Sequence, residues 1–191
     1  FSRSQGGSVT KNLIGSGANQ AVVLSAADLL ALGDGVINIS AIATNGGGTS
    51  SAPATATFTL DTSAPQSPSL ALQADTGSSS KDGITANPQV LVSQLESGNI
   101  WEVSTNAGSS WTPGSGNSFS LAEGSYASNQ VQVRQRDDAG NVSTATGNST
   151  TWLIDTTAPQ FIAGSSATAA AILETSGSNR VIYTPQMAAT E

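Results

Sequence analysis

Phe58-Thr-Leu-Asp-Thr-Ser-Ala-Pro65 and Trp152-Leu-Ile-Asp-Thr-Thr-Ala-Pro159 are two copies of one pattern. An aromatic residue opens each, an aspartate follows three residues later, and a hydroxyl pair, an alanine and a proline close it. From Asp61 to Asp155 is 94 positions. Upstream of each copy lies an alternating run, Val36-Ile-Asn-Ile-Ser-Ala-Ile-Ala43 and Val131-Gln-Val-Arg-Gln135. Strict alternation of apolar and polar residues is the mark of a half-buried strand. Each run ends in a glycine-bearing polar turn, Asn45-Gly-Gly-Gly-Thr49 and Asp137-Asp-Ala-Gly-Asn141, and a stretch rich in Thr, Ala and Ser then leads into the aspartate. The proline four residues past each aspartate fixes φ and removes a donor, which stiffens the step out of the unit.

A repeat of about 90–100 residues built from short alternating strands and regular turns has the size of an immunoglobulin-type sandwich. The expected fold class is therefore all-β, as tandem immunoglobulin-like β-sandwich modules. Junctions fall at 61–66 and 155–160. Residues 1–61 read as the C-terminal part of a first module, 62–155 as a complete module, and 156–191 as the opening strands of a third. In the middle module, strands are predicted over Ser69–Ala74, Gln89–Ser93, Asn99–Ser104, a short piece near Trp111, Ser118–Ala122, Asn129–Gln135 and Thr150–Ile154. The period of two turns Leu70, Leu72, Val90, Val92, Ile100, Val103, Phe119, Leu121, Val131, Val133, Trp152 and Ile154 inward. In the first module a strand is expected over Gln20–Leu24. A short helical turn capped by Ser25 or Asp28 should follow, then the turn Gly33-Asp34-Gly35.

Composition removes several functions. The 191 residues hold no cysteine and no histidine. A disulfide framework and thiolate metal sites are excluded, as are the commonest general base and transition-metal ligand. Oxygen ligands remain, from Asp, Glu, Asn and carbonyls, and these suit hard cations such as calcium. The net charge of −7 and only six Lys and Arg argue against nucleic acid. No apolar run approaches the roughly 20 residues of a membrane-spanning helix, so no membrane insertion is expected. With Phe at position 1 and no signal peptide, the chain reads as an interior piece of a longer one.

The stretch Ala21-Val-Val-Leu-Ser-Ala-Ala-Asp-Leu-Leu-Ala-Leu-Gly-Asp-Gly35, with Ile39-Ser-Ala-Ile-Ala-Thr-Asn45 and Leu60-Asp-Thr-Ser-Ala-Pro65, resembles the bacterial Ig-like repeats of giant repeats-in-toxin and biofilm-associated adhesins. The segments Asp75-Thr-Gly-Ser-Ser-Ser-Lys-Asp-Gly-Ile-Thr85, Trp101-Glu-Val-Ser-Thr-Asn-Ala-Gly-Ser-Ser-Trp111 and Asp137-Asp-Ala-Gly-Asn-Val-Ser143 are similar to that family as well. The tail, with Phe161-Ile-Ala-Gly-Ser165 and Val181-Ile-Tyr-Thr184, resembles the start of a bacterial cadherin-like module. One departure stands out: Asn45 occupies a place where the family usually has Asp. The resemblance implies a secreted protein of the bacterial cell surface, in which neighbouring modules of one long chain form an extended array. Adhesion to host or biofilm ligands would fall to other regions. It also implies calcium at the module junctions, keeping the rod straight.

Sandwich topology indicates which acids can meet. Asp75 and Asp82, in the loop after the first strand, should approach Asp155 at the exit of the last. Asp137 and Asn141 should approach Asp61 at the entrance, with Asp34 of the first module at the same end. Glu174, in the third module, should join the set at the second junction, around Asp155. Gathering carboxylates opposes itself by roughly 1–4 kcal/mol per pair at 4 Å, a penalty that bound Ca²⁺ reverses. The plainer explanation is that Asp and Asn in glycine-rich turns bond the turn backbone.

No catalytic residues are assigned, because the serines lack a histidine partner and the acid pairs sit at module ends. Trp101, Trp111 and Trp152 fit either the core or an aromatic platform for sugars. The expected function is a structural, extender role in a surface adhesin. Rival readings are a glycan- or protein-binding module, a strand-exchanging subunit of a surface filament or surface layer, and an accessory domain of a secreted polysaccharide-degrading enzyme.

Overall fold

The computed structural model describes residues 1–4 and 6–159, so Glu174 and nearly all of the expected third module lie outside the described residues. The fold is nearly all-β, as expected, with several antiparallel sheets. The described residues divide into two compact units, Phe1–Pro65 together with the loop Asp137–Asn141, and Gln66–Arg136 with residues 142–159.

The first unit holds β1 (Ser2–Arg3), α1 (Ala26–Leu32), β2 (Gly35–Ala41) and β3 (Ala54–Leu60). Its sheet runs β1-β2-β3, all antiparallel, with Ile37 opposite Phe58 and Gly35 opposite Leu60. Leu32 and Ile37 are fully buried. The start of α1 is set by a capping box. The Asp28 amide donates to Ser25 Oγ, and the Asp28 carboxylate accepts from the Ser25 amide at 2.6 Å. Lys11 lies 2.6 Å from the same carboxylate and, with Ser25, holds its pKa down to about 2. The expected strand over Gln20–Leu24 is absent. A strand exists only through a hydrogen-bonded neighbour; this run finds none, and Val22 and Val23 remain exposed.

The second unit comprises β4 (Ser69–Leu72), β5 (Ile84–Thr85), β6 (Gln89–Ser93), β7 (Ile100–Ser104), β8 (Thr112–Pro113), β9 (Ser118–Ser120), β10 (Gly124–Tyr126), β11 (Gln132–Arg136), β12 (Thr146–Gly147) and β13 (Trp152–Ile154). Its sheets run β4-β6-β9, β12-β11-β7-β8 and β10-β13-β5. Among the described residues, only the β13–β5 pair is parallel. Val90 of β6 packs with Val131 and with Trp152 and Ile154 of β13. Val92 of β6 packs with Trp101 of β7 and Val133 of β11. Sheet faces thus meet across one apolar layer, as in a sandwich.

The inward set differs from expectation at β7. Ile100 is 48% exposed while Trp101 is 5% exposed. Ile100 and Val103 are three residues apart and cannot share a face of a regular strand. Opposite β11, Trp101 pairs with Gln135 and Val103 with Val133, so the odd positions of both strands point in. The chain wraps the buried indole closely. Trp101 Nε1 donates to the Gly116 carbonyl at 2.8 Å, and a Cβ on Gly114 would sit 2.2 Å from ring carbons.

The strand expected over Asn129–Gln135 starts later, at Gln132, because Asn129–Val131 belong to the turn between β10 and β11, in which Asn129 has φ of 61°. Buried Asn148 holds that turn. Its Oδ1 accepts from the Val131 amide at 2.9 Å, and its Nδ2 donates to the Ala127 and Thr150 carbonyls.

Candidate functional site

The acids of the first unit gather around the exit of β3. Asp34 precedes Gly35, the residue opposite Leu60, so the register of β2 on β3 carries its carboxylate to the residues after Leu60. Asp34 Oδ1 accepts from the Thr62 amide at 2.8 Å and from Thr62 Oγ1 at 2.7 Å. Asp34 Oδ2 accepts from Ser63 Oγ at 2.6 Å. Hydrogen bonds from Ser63 first, then Thr62, hold the Asp34 carboxyl below the usual carboxylate range. Asp61 Oδ1 accepts from the Ser63 amide at 3.0 Å.

The loop Asp137–Asn141 completes this set. Asn141 donates from its amide to Asp137 Oδ1 at 2.8 Å and from Nδ2 to Asp137 Oδ2 at 2.9 Å. Nδ2 also donates to the Asp61 carbonyl at 3.2 Å. The Asn141 side chain is the main cause of a lowered Asp137 pKa. Asp34 and Asn141 thus both bond the segment 61–63, and every carboxylate oxygen of Asp34 and Asp137 accepts a hydrogen bond.

The turn Asn45–Thr49 repeats this loop bond for bond. The Asn45 amide donates to the Thr49 carbonyl and the Gly48 amide to the Asn45 carbonyl, each at 3.0 Å; the Asp137–Asn141 and Gly140–Asp137 pairs do the same at 3.1 Å. Asn45 Oδ1 accepts from the Thr49 amide as Asp137 Oδ1 accepts from Asn141. Gly48 and Gly140 both take positive φ, 84° and 93°, where other residues are strained. One side-chain acceptor builds the turn, and an amide oxygen supplies it as well as a carboxylate does.

In the second unit, Asp75, Asp82 and Asp155 each bond in or beside β5 or the exit of β13, but to separate backbone groups. Asp75 Oδ2 accepts from the Gly83 amide at 3.0 Å, and the Gly83 carbonyl accepts from the Leu153 amide at 2.8 Å. Asp82 Oδ1 accepts from the Ile84 amide. The Asp155 amide donates to the Thr85 carbonyl at 2.9 Å, and Asp155 Oδ1 accepts from the Thr157 amide. Gly83 is required here, because its φ is +76° and a Cβ would lie 2.6 Å from the Thr151 carbonyl oxygen. Asp75 Oδ1 is buried without a hydrogen-bond partner. A buried acceptor left unpaired is unfavourable by about 1–3 kcal/mol, more when charged. Among the described residues, no three acids stand together as a ready metal-holding group.

Sequence reasoning missed Glu123. Its Oε2 accepts from Thr156 Oγ1 at 2.8 Å, and both oxygens accept from Thr157 Oγ1. Thr156 and then Thr157 lower its pKa. In sequence the two sites share only an acid followed by glycine, Asp34-Gly35 and Glu123-Gly124; the structure alone shows that Gly124 sits opposite Ile154 as Gly35 sits opposite Leu60.

Trp101 and Trp152 are core residues, 5% and 6% exposed. Trp111 is half-buried, but Arg134 lies over its ring at 4.1 Å, anchored by its Nε on Glu102 at 2.8 Å. That ring face is taken by a cation rather than presented to a sugar. No helix among the described residues is long and apolar enough to cross a membrane. A scan against protein-family models matches none of them, and none of the curated proteins matches the chain.

Proposed function

We propose that this chain is a non-catalytic, structural spacer from a secreted bacterial surface adhesin, built of repeating Ig-like modules and stiffened by calcium. The observation that carries the reading is the repeated exit. Two strands, β3 and β13, end in the same Asp-Thr-hydroxyl-Ala-Pro step, each next to a carboxylate that binds the hydroxyls. A device that recurs where each unit ends serves the continuity of an array. Exposed aromatic platforms, which a glycan reader needs, are not supported by the covered ring of Trp111.

The calcium assignment rests on the second unit. Asp75 Oδ1 is the buried oxygen that lacks a donor, and Asp82, Asp155 and nearby carbonyls are hard ligands of the kind calcium takes. Bound there, the ion would neutralise the acids and fix the loop of residues 75–83 against the end of β13. Calorimetry in chelator and in excess calcium tests this. At free calcium 100-fold above its dissociation constant, the gain is about 2.7 kcal/mol. For a unit of this size that raises the melting temperature by about 10–20 °C. Asp75→Asn keeps an acceptor for the Gly83 amide and should abolish the rise. An unchanged melting temperature in the parent protein rejects calcium; a rise that persists in Asp75→Asn removes Asp75 from the site.

One observation favours strand exchange as a second reading. The outer edge of β13 carries β5, whereas β3, the matching strand of the first unit, has β2 as its one neighbour among the described residues. An open seven-residue edge without charge is a template for pairing with another chain. Sedimentation over a hundredfold concentration range separates the two, since a spacer stays monomeric and a strand-exchanging subunit self-associates.

A further inference from the structure

We propose that Asp34 and Glu123 are exit clamps: side chains that fix the direction in which the chain leaves each unit, by hydrogen bonds alone and without a metal. The inference deepens the spacer reading, which supplies the purpose of the clamp, but its geometry stands independently.

Both acids occupy one structural position. Each immediately precedes the glycine that opens the strand opposite the exit strand, and each faces the residues just past that strand's end. Register, rather than loop length, therefore places the carboxylate. Asp34 takes three hydrogen bonds, from the Thr62 amide, Thr62 Oγ1 and Ser63 Oγ, at 2.6–2.8 Å. Glu123 takes its bonds from Thr156 Oγ1 and Thr157 Oγ1 at 2.8–3.0 Å. The amide of the first hydroxyl residue supports both carboxylates as well, that of Thr62 at 2.8 Å from Asp34 and that of Thr156 more weakly at Glu123. Hydrogen bonds to an ionised acceptor are short and roughly twice as strong as neutral ones. They act here on Thr62–Ser63 and Thr156–Thr157, each two residues before a proline that already restricts the backbone. Clamp and proline together leave little freedom in the exit segment.

The exit aspartates make a different, local bond. Asp61 Oδ1 caps the Ser63 amide and Asp155 Oδ1 the Thr157 amide, each two residues on. This turn shapes the segment but does not tie it to the rest of the unit. Among the described residues, Asp34 and Glu123 reach the hydroxyl pair from another strand opening, 28 or more residues away in sequence, while Asn141 holds only the Asp61 carbonyl.

Backbone ¹⁵N relaxation and amide exchange on the full chain, in chelator, test the proposal. In the parent protein, Thr62–Ala64 and Thr156–Ala158 should be as ordered as β2 and β13. Asp34→Ala should loosen Thr62–Ala64 and lower the protection of the Thr62 amide about tenfold or more, with Ile37 protection unchanged. Glu123→Ala should do the same at 156–158 and nothing at 62–64. If Asp34→Ala unfolds the first unit, Thr62→Val with Ser63→Ala removes the hydroxyl donors instead and should give the same local loosening. Exit segments that stay ordered in these variants overturn the clamp. So does a parent protein whose exit segments are mobile in chelator and ordered only with calcium. That last result leaves the calcium reading intact, and a missing calcium-dependent melting shift leaves the clamp intact, so the two can fail separately.

Discussion

Replacing Gln135 by leucine should destabilise the second unit by about 2–4 kcal/mol, although leucine is apolar, of similar bulk and enters a fully buried position. The Gln135 amide uses all of its main bonding capacity on backbone groups. Its Oε1 accepts from the Glu96 amide at 2.8 Å, and its Nε2 donates to the Gln66 and Gln94 carbonyls at 2.8 and 2.9 Å. Leucine leaves one amide and two carbonyls without partners. Each is worth about 1–3 kcal/mol when buried and less where water enters, and the flanking residues Gln66, Gln94 and Glu96 are exposed. The lower part of the summed range is therefore expected. Gln94 has φ of 60°, a conformation that a non-glycine residue holds only when its surroundings fix it. Gln135→Glu should be worse than leucine at neutral pH, since a carboxylate would face two carbonyls. Urea denaturation reads the effect as a lower midpoint at unchanged slope. A loss under 0.5 kcal/mol would mean that water replaces the amide, and that Gln135 does not tie Gln66 to the sandwich.

How far such features can be read from sequence depends on whether they are local. β6 occupies Gln89–Ser93, the residues its alternation marks, because both of its neighbours pair along nearly its whole length. In β7 the odd positions, Trp101 and Val103, are both apolar and the even positions, Glu102 and Ser104, polar, so alternation favours the phase that the pairing with β11 realises; Ile100 does not fit that period. Glu102 is itself buried, held by Arg134, although it stands on the polar phase. Gln20–Leu24 has strand composition but no partner, and composition cannot report a missing neighbour. At the site, the repeated Asp-Thr-hydroxyl-Ala-Pro step was legible because it is contiguous. Glu123 was not, because it stands 33 positions before Thr156 and reaches it only through the register of β10 on β13.

Asn45 stands in its turn where the second loop has Asp137, and the turn forms for a purely local reason. The turn needs one acceptor for the residue four positions on, and Asn45 Oδ1 supplies it, taking the Gly47 amide as well. Asp137 uses its second oxygen on Asn141 Nδ2, which also reaches the Asp61 carbonyl. The charge at this position is thus spent on orienting a neighbour, not on forming the loop. The two turns can share one backbone while differing in what they hold.

Trp101→Ala should destabilise the second unit by about 3–5 kcal/mol, and Trp111→Ala by no more than about 1 kcal/mol, although ten residues separate them around one turn. Trp101 packs with Val92, Val133 and Phe119, its ring centroid 6.0 Å from that of Phe119, and its indole N–H is paired with Gly116. Truncation removes the largest side chain of this cluster and leaves a cavity that the closely wrapped Gly114–Gly116 segment must collapse to fill. Such a loss is a large part of the 5–15 kcal/mol that holds a typical domain, so the variant should melt about 12–40 °C lower. Trp111 is half-buried and belongs to neither apolar cluster; its truncation removes the stack with Arg134, which keeps its ion pair to Glu102. The contrast separates a core tryptophan from a surface one more directly than sugar titration does. If both variants lost stability equally, the Arg134–Trp111 stack would belong to the core and the sheet β12-β11-β7-β8 would depend on its outer face. If Trp101→Ala were mild, the sandwich would have to be held mainly by the cluster around Val90, Val131, Trp152 and Ile154. The two apolar clusters would then be energetically independent, despite sharing Leu70 and Phe119 between them.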